Sequence, residues 1–195
     1  MTNMKHKIYI QSVLILILLS CTQLSPTYKK HSIVEIGSGI HKVTILELKL
    51  SFDLPVDWNA VPQIHRKKGQ TMYHFRRDPV KDSFGRRIIP NLAVFIEDIP
   101  EGLDIVEYSV NLRMRESYSY LKIVGTKPGQ FGELSGVGNI ATYTEPVGLH
   151  HKVVIFQTVH EGKGVQIVID GTESVFDDLK DEYDFVLQSL RYVSE

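Results

Sequence analysis

The stretch KVVIFQTVHEGKGVQIVI, residues 152–169, decides the fold because it contains two strands and the turn that joins them. Val153 to Phe156 are four consecutive apolar residues, which is typical of a strand buried on both faces. Residues 160–164 form a short segment with two glycines, and residues 165–169 are again mostly apolar. Apolar runs on either side of a short glycine-containing loop predict a β-hairpin.

Strand-like segments continue on both sides of this hairpin. Residues 71–77 alternate, so that Tyr73 and Phe75 share one face, and residues 91–97 alternate in the same way. Pro55 and a turn at residues 57–59 are expected to end an earlier strand. The full set of further predicted strands is 43–48, 50–54, 71–77, 91–97, 120–125 and 139–144.

Two segments have the spacing of helices. The first is 104–116, where Asp104 stands at the N-cap position and Glu107 follows three residues later, as in a capping box. The second is 174–192, where Ser174 can cap the first turn and apolar residues recur every three or four positions. The second helix is expected to pack one face on the sheet and to leave three acidic side chains in solvent, namely Asp181, Glu182 and Asp184.

Strands that are apolar on both faces need cover on both sides. The order of the segments therefore predicts an α+β fold, in which a mainly antiparallel sheet is covered by an internal helix and a C-terminal helix. The folded domain is expected to span residues 43–195. Residues 22–42 are rich in Ser, Thr, Gly, Lys and Pro and are predicted to be a flexible tether.

The N-terminus has the layout of an export signal. Lys5 and Lys7 precede an apolar run that ends in LILILLSC, residues 14–21, and this run is shorter than the roughly 20 residues of a membrane span. Cys21 is the single cysteine of the chain, so it has no internal disulfide partner. Residues 18–21 resemble a bacterial lipobox, although Leu19 is larger than usual. We therefore predict a signal peptide at 1–20 and a lipidated Cys21; an uncleaved signal anchor and an ordinary buried cysteine are the alternatives.

The charge of the chain restricts its partners. Removal of residues 1–20 takes away two lysines and no acid, which leaves 20 basic and 23 acidic side chains and a net charge of −3. A mildly acidic domain is a poor general binder of nucleic acid. We therefore expect no nucleic-acid partner.

Two phrases at the ends of the domain resemble a known superfamily. LSFDLPVDWNAV, residues 50–61, contains Phe52, Pro55 and Trp58, and YDFVLQSLRYV, residues 183–193, contains Phe185, Leu187 and Leu190. Together they resemble the PsbP-like superfamily, which includes the PsbP proteins of photosynthetic membranes, Ran-binding Mog-type proteins and many uncharacterised bacterial domains. The resemblance implies a PsbP-like sandwich and a non-catalytic role in binding or assembly. It transfers no specific partner site.

Histidines, glycines and acidic residues are the candidates for chemical sites in this sequence. His150 and His151 point to opposite faces of a strand, and His160 lies about 30 Å from His151 along it, so surface histidines are favoured over a shared metal site. GELSGVGN, residues 132–139, lacks a third glycine and is interpreted as a turn between strands. Four acids of the second predicted helix are interpreted as a solvated face and not as a calcium site: Asp177, Asp178, Asp181 and Glu182. No metal and no cofactor other than the lipid on Cys21 is expected.

One basic segment remains a candidate partner surface. The side chains proposed to form it are Arg66, Lys67, Lys68, Arg76, Arg77, Arg86 and Arg87. Residues 170–184 carry the opposite sign, with seven acids and one lysine. Two solvated surfaces are the plain interpretation. A contact with an acidic protein or with anionic envelope lipid is the alternative.

The sequence thus supports two hypotheses on function. The first is an envelope lipoprotein, anchored to the inner or outer membrane, whose domain is a non-catalytic binding or assembly module with an unknown protein partner. The second is an envelope hydrolase with an unrecognised active site. No G-x-S-x-G, H-E-x-x-H or phosphate-binding glycine loop is found in the sequence, which favours the first. No catalytic residue is predicted.

Overall fold

The structure, a computed structural model, describes residues 31–37, 39–61, 65–67, 69–115 and 118–193, with residues 65–67 described by their backbone alone. The predicted signal peptide, Cys21 and Lys68 lie outside the described residues. The strands are β1 His31–Glu35, β2 Ile40–Ile45, β3 Leu50–Pro55, β4 Trp58–Ala60, β5 His65–Lys67, β6 Gln70–Arg77, β7 Val80–Lys81, β8 Arg87–Ile88, β9 Asn91–Asp98, β10 Lys122–Phe131, β11 Leu134–Thr144, β12 His150–His160, β13 Lys163–Thr172 and β14 Arg191–Tyr192. The helices are α1 Ile105–Arg113, α2 Glu173–Phe176 and α3 Lys180–Gln188, and Leu46–Leu48 is a 3-10 turn.

The strands form two main sheets, and their pairings are antiparallel. The larger sheet has the order β10-β11-β12-β13-β9-β6-β4, with β5 also paired to β6. The smaller sheet has the order β1-β2-β3-β14, and β7 and β8 form a separate hairpin. The predicted α+β class, dominated by antiparallel strands, is confirmed.

The hairpin predicted at residues 152–169 is the centre of the larger sheet. Strands β12 and β13 pair from His151↔Thr172 to His160↔Lys163. Glu161 and Gly162 form the turn, with φ of 51° and 69°. Two consecutive positive φ angles match the twist of the flanking strands, which is why glycine is favoured here.

The main core lies between the two sheets and is closed by helix α3. Phe52 from β3, Phe75 from β6 and Ile167 from β13 are fully buried there, together with Tyr183 from α3. Because alternate residues of β6, β9 and β13 face this core, the intervening residues form the opposite face of the larger sheet. That opposite face carries the candidate site described below.

The described residues of the predicted tether, 31–37 and 39–42, belong to the fold, which therefore begins earlier than Val43. β1 pairs with β2 along its whole length, from His31↔Ile45 to Glu35↔His41. Gly37 and Gly39 have φ of 88° and 74°, and the amide of Ile36 donates to the carbonyl of Ile40 at 3.0 Å. Glycines that the composition assigned to a flexible linker therefore make the turn of a hairpin.

Both predicted helices are shorter in the structure. The first, predicted at 104–116, is Ile105–Arg113, and the Asp104 side chain accepts hydrogen bonds from the amides of Val106 and Glu107 at 2.8 Å, so the predicted N-cap is confirmed. The second, predicted at 174–192, is split into α2 and α3, and the chain then pairs with β3 as β14. Ser174 is not its cap, because the N-cap of α2 is Thr172.

Two predicted turns differ from the structure in their bounds because the paired strands begin earlier than expected. Trp58 begins β4 and the turn before it is Val56–Asp57, not residues 57–59. The turn between strands predicted at residues 132–139 is limited to residues 132–133, because β11 already begins at Leu134. Phe185, which belongs to the phrase that resembles the PsbP-like superfamily, lies on α3 and is 38% exposed.

Candidate binding cleft

A cleft lies on the face of the larger sheet that points away from the main core. Its floor is formed by side chains of three adjacent strands, Phe95 from β9, Val153 and Ile155 from β12, and Val168 from β13. These residues share one face because their strands pair in register. Part of this floor belongs to a small second apolar cluster, which contains Ala141, Val153 and Ile155.

The segment that follows α1 forms one wall of the cleft. Tyr118, Tyr120 and Leu121 line it, and Tyr143 of β11 stands beside them. The polar lining side chains are Gln70, Arg115, Gln166 and Asp170. The cavity has a volume of about 330 Å³. A floor of apolar side chains with a few polar groups at its rim is the usual construction of a small-molecule site.

A partly buried polar network holds this wall against the sheet. Glu97 of β9 accepts from Tyr108 of α1 at 2.8 Å and from Nη1 of Arg115, whose distances to the two carboxylate oxygens are 2.7 and 3.0 Å. Tyr118 donates to the side-chain oxygen of Gln166. Hydrogen bonds to charged groups are among the stronger ones in proteins, so the network fixes the position of Arg115 and Tyr118.

A second polar cluster lies at the other end of the cleft. His151 of β12 and Tyr143 of β11 are directly paired, and their rings are stacked with centroids 4.7 Å apart. His151 Nδ1 lies 2.9 Å from Asp170 Oδ1, and the Tyr143 hydroxyl donates to Asp170 Oδ2 at 2.9 Å. His151 Nε2 is buried and lies 3.4 Å from Glu145 Oε1. Two carboxylates therefore flank one imidazole.

The pKa shifts in the cleft follow from these contacts. The hydrogen bond to Asp170 raises the pKa of His151 above its ordinary value, against the opposing effect of burial, and the charges of Asp170 and Glu145 act in the same direction as the hydrogen bond. Burial raises the pKa of Tyr143, and the negative charge of Asp170 raises it further. Burial also raises the pKa of Tyr118 to about 12. For Arg115, burial lowers the pKa, but the hydrogen bond and charge of Glu97 outweigh it and leave the pKa raised.

The histidines are not equivalent, in contrast to the predicted set of surface histidines. His150 is exposed, whereas His151 is partly buried in the cluster with Asp170. The Nε2 of His160 donates to the carbonyl of Leu48 at 2.7 Å. Among the described residues, no group of three or more His, Cys, Asp or Glu side chains is arranged to hold a metal ion.

The predicted basic surface is divided by strand β6. Arg76 is exposed, but Arg77 points to the opposite side, where its side chain is 12% exposed. Arg77 donates through Nε and Nη2 to Glu182 at 3.0 and 3.2 Å and through Nη2 to Asp57 at 3.2 Å. The indole N–H of Trp58 donates to the same Glu182 carboxylate. Arg77 is therefore a structural link between β6, β4 and α3, which is a correction to its assignment to the surface.

The other members of that surface remain outside the core. Arg86 is bound to Asp82 at 2.7 Å and is still half exposed, and Arg87 is exposed. The side chains of Arg66 and Lys67, and all of Lys68, lie outside the described residues. Glu182 is partly buried rather than in solvent, whereas Asp181 and Asp184 are exposed as predicted.

Sequence reasoning missed most of the cleft. Tyr118, Tyr143 and Asp170 lie on three different elements, and no local pattern marks them as neighbours. One signal was available, because polar residues at 166 and 170 interrupt the same face of an otherwise apolar strand. A polar side chain on a covered face of a strand needs a partner, and this is what Tyr118 and Tyr143 provide.

The architecture of the described residues is that of the PsbP-like α+β fold, with mostly antiparallel sheets and a few short helices. No protein-family model matches the chain, and no curated protein matches its sequence.

The chain is similar in structure to proteins of very different sequence. PA94 of Pseudomonas aeruginosa, a protein of unknown function, is 8% identical with a TM-score of 0.54, and the alignment covers 85% of this chain and 99% of that one. Cyanobacterial PsbP (CyanoP) of Synechocystis is 19% identical with a TM-score of 0.54, covering 83% and 97%. The Ran-binding protein Mog1p of Saccharomyces cerevisiae is 11% identical with a TM-score of 0.48, covering 84% and 96%. At these identities the likeness concerns the fold.

None of the helices in the described part of the chain is long and apolar enough to cross a membrane.

Proposed function

We propose that this chain is a lipid-anchored protein of a bacterial cell envelope whose domain is a non-catalytic binding module. The observation that carries the binding role is the cleft of about 330 Å³, which has an apolar floor, an aromatic wall and polar residues at both ends. Such a cleft binds by burial of apolar surface and selects by its few polar groups. The anchor follows from the sequence of residues 5–21, which lie outside the described residues.

The contacts of His151 favour binding over hydrolysis. A histidine held by a carboxylate resembles the base and orienting group of a hydrolase, in which the second ring nitrogen faces a nucleophile. Here Nε2 is buried and faces Glu145 instead. The described residues that line the cleft include no serine, threonine, cysteine or lysine. The described lining of the cleft therefore lacks a hydroxyl or thiol nucleophile of the Ser-His or Cys-His type beside His151.

The anchor is tested by metabolic labelling of cells with radioactive palmitate. Label is expected in the native protein and not in Cys21→Ala, because acylation requires the thiol. Label that persists in Cys21→Ala contradicts the lipoprotein assignment.

The binding role is tested by photo-crosslinking in intact cells. A benzophenone amino acid in place of Tyr120, which is 64% exposed at the wall of the cleft, is expected to capture a specific species. The matched control is the same amino acid in place of Tyr192, which is exposed in β14 and does not line the cleft. Equal products from both positions contradict a binding role of the cleft. Hydrolysis by the purified chain that disappears in His151→Gln contradicts the non-catalytic assignment.

A protein partner on the basic surface is a separate part of the proposal. The exposed arginines Arg76, Arg86 and Arg87 support it, while Arg77 is kept intact because it stabilises the fold. Serine at the three exposed positions is expected to weaken co-purification of an acidic partner and to have little effect on stability. Unchanged co-purification shows that these arginines are only a solvated surface.

A further inference from the structure

The two ends of the cleft differ in net charge. The end that contains Asp170, called the negative end, keeps a negative charge, whereas the charges at the other end cancel. At the other end, Arg115 is bound to both carboxylate oxygens of Glu97, so that pair carries no net charge. At the negative end, Asp170 and Glu145 share one imidazole, that of His151. One negative charge remains there when His151 is protonated, and two remain when it is neutral.

Aromatic rings meet at this same end. The rings of Tyr120 and Tyr143 are 5.5 Å apart and almost perpendicular, at 86°. The Tyr143 hydroxyl donates to Asp170, so this aromatic corner directly adjoins the carboxylate. The face of an aromatic ring attracts a cation, and rings set at an angle around a site are how proteins bind quaternary ammonium groups.

The floor next to the corner is apolar. Val153 pairs with Asp170 in the sheet, and Val168 lies two residues before Asp170 on the same face of β13. Apolar side chains favour methyl groups and alkyl stems over a hydrated metal ion, because a hard cation needs several converging oxygen ligands. Along β13, Gln166 and Asp170 are about 13 Å apart at 3.3 Å per residue, which is room for a small organic molecule.

We propose that the cleft binds a small organic cation, an ammonium group on an apolar stem, with the cation beside the corner formed by Tyr120 and Tyr143, next to Asp170, and the stem on the floor. This inference rests on the proposed binding function and names the chemical class of the ligand. It gives a role to the carboxylate and to the exposed tyrosine, neither of which the packing of the core requires.

The test uses choline as the probe. The matched ligand is 3,3-dimethylbutan-1-ol, in which a neutral carbon replaces the charged nitrogen of choline. Ligand-observed NMR is carried out on the full chain in non-ionic micelles. Choline is expected to bind and dimethylbutanol to bind at least about tenfold more weakly, because it has the same shape without the charge. Equal binding of the two ligands overturns the inference, and so does the absence of choline binding.

Protein variants locate the site. Tyr120→Leu is expected to weaken choline binding by about 3- to 30-fold, whereas Tyr120→Phe, which keeps the ring, and Tyr192→Leu, which is outside the cleft, are expected to leave it unchanged. Asp170→Asn is expected to weaken it by about tenfold or more, because the charge nearest the corner is lost. Choline binding that none of these variants changes overturns the inference.

The pH dependence gives a readout that packing alone would not produce. The groups facing His151 are Tyr143 and Glu145 from the side of β11 and Asp170 from β13. Affinity for choline is expected to increase as pH rises through the pKa of His151, because the neutral imidazole no longer offsets Asp170. An affinity that decreases over this range overturns the inference. If these tests fail while the benzophenone amino acid at position 120 still captures a specific species, the ligand class is rejected and the proposed binding function is kept.

Discussion

Replacement of Arg77 by serine tests how the C-terminal helix is held on the sheet. Arg77 and Glu182 are 105 positions apart in the chain, their side chains are 12% and 17% exposed, and two guanidinium nitrogens contact the carboxylate at 3.0 to 3.3 Å. Burial lowers the pKa of Arg77, but its contacts with Glu182 and Asp57 outweigh this and leave the pKa raised, which means that the folded state favours the charged form.

The expected loss of unfolding free energy in Arg77→Ser depends on how the charge of Glu182 is left. Loss of one partner of a fully buried ion pair costs about 3–5 kcal/mol, mostly because the other charge remains buried and unpaired. Glu182 keeps the hydrogen bond from Trp58 and some contact with solvent, so we expect a smaller loss, about 2–3 kcal/mol. For a chain of this size that corresponds to a decrease in Tm of about 4–12 °C.

The assay is urea denaturation of the full chain, monitored through the fluorescence of Trp58, which is the only tryptophan of the sequence. The matched control is Arg76→Ser, one position earlier and exposed, which is expected to change the unfolding free energy by less than about 0.5 kcal/mol. A double variant, Arg77→Ser with Glu182→Gln, should cost less than the sum of its single changes, because the partners interact. Equal stability of Arg77→Ser and Arg76→Ser would refute the reasoning.

Two further changes test the packing of α1 and the cluster at His151. Gly164→Ala is expected to destabilise the chain by about 1–3 kcal/mol, because its Cβ would lie 2.4 Å from the ring of Tyr108. The control is Gly129→Ala, which has open space around it and should have little effect. Similar losses of unfolding free energy for the two variants in urea denaturation would contradict this reasoning. His151→Gln should be less stable than the native chain at low pH. Asp170 raises the pKa of His151 in the folded chain. The difference in unfolding free energy between the native chain and His151→Gln should therefore be fully present below the ordinary histidine pKa of 6.5 and be lost as pH rises through the folded pKa of His151. A difference that grows with pH would show that His151 is held neutral.

Strands were predictable where one face is continuously apolar. Residues 91–97 and 152–169 alternate or run apolar in the sequence, and they form β9 and the β12–β13 hairpin almost at the predicted limits. The Asp104 cap was predictable as well, because it depends on atoms within three residues of one another. The export signal and the acylation of Cys21 are also local patterns, and they stay predictions.

Local patterns failed where a distant strand supplied the partner. The helical spacing of 174–192 does not extend to its end, because Arg191 pairs with Ser51 of β3 and its guanidinium is bound to Asp53 at 2.9 Å. Gly37 and Gly39 favoured a flexible tether by composition, but the strands on either side of them, β1 and β2, pair with each other. In both places backbone pairing with a distant segment outweighed the local preference.

The sequence by itself determined the fold class of this protein and the position of its central hairpin, because these depend on hydrophobic periodicity along a short stretch of chain. Only the tertiary structure decided the cleft. Tyr143, His151 and Asp170 come from β11, β12 and β13, and the pairing of these strands places their side chains on one face of the sheet. Tyr120 lines the same cleft from the segment that follows α1. The same holds for Arg77, whose adjacent position to Arg76 suggested a shared surface. The two-residue period of a strand sends neighbours to opposite faces, and the fold then decides that one of those faces is buried against Glu182.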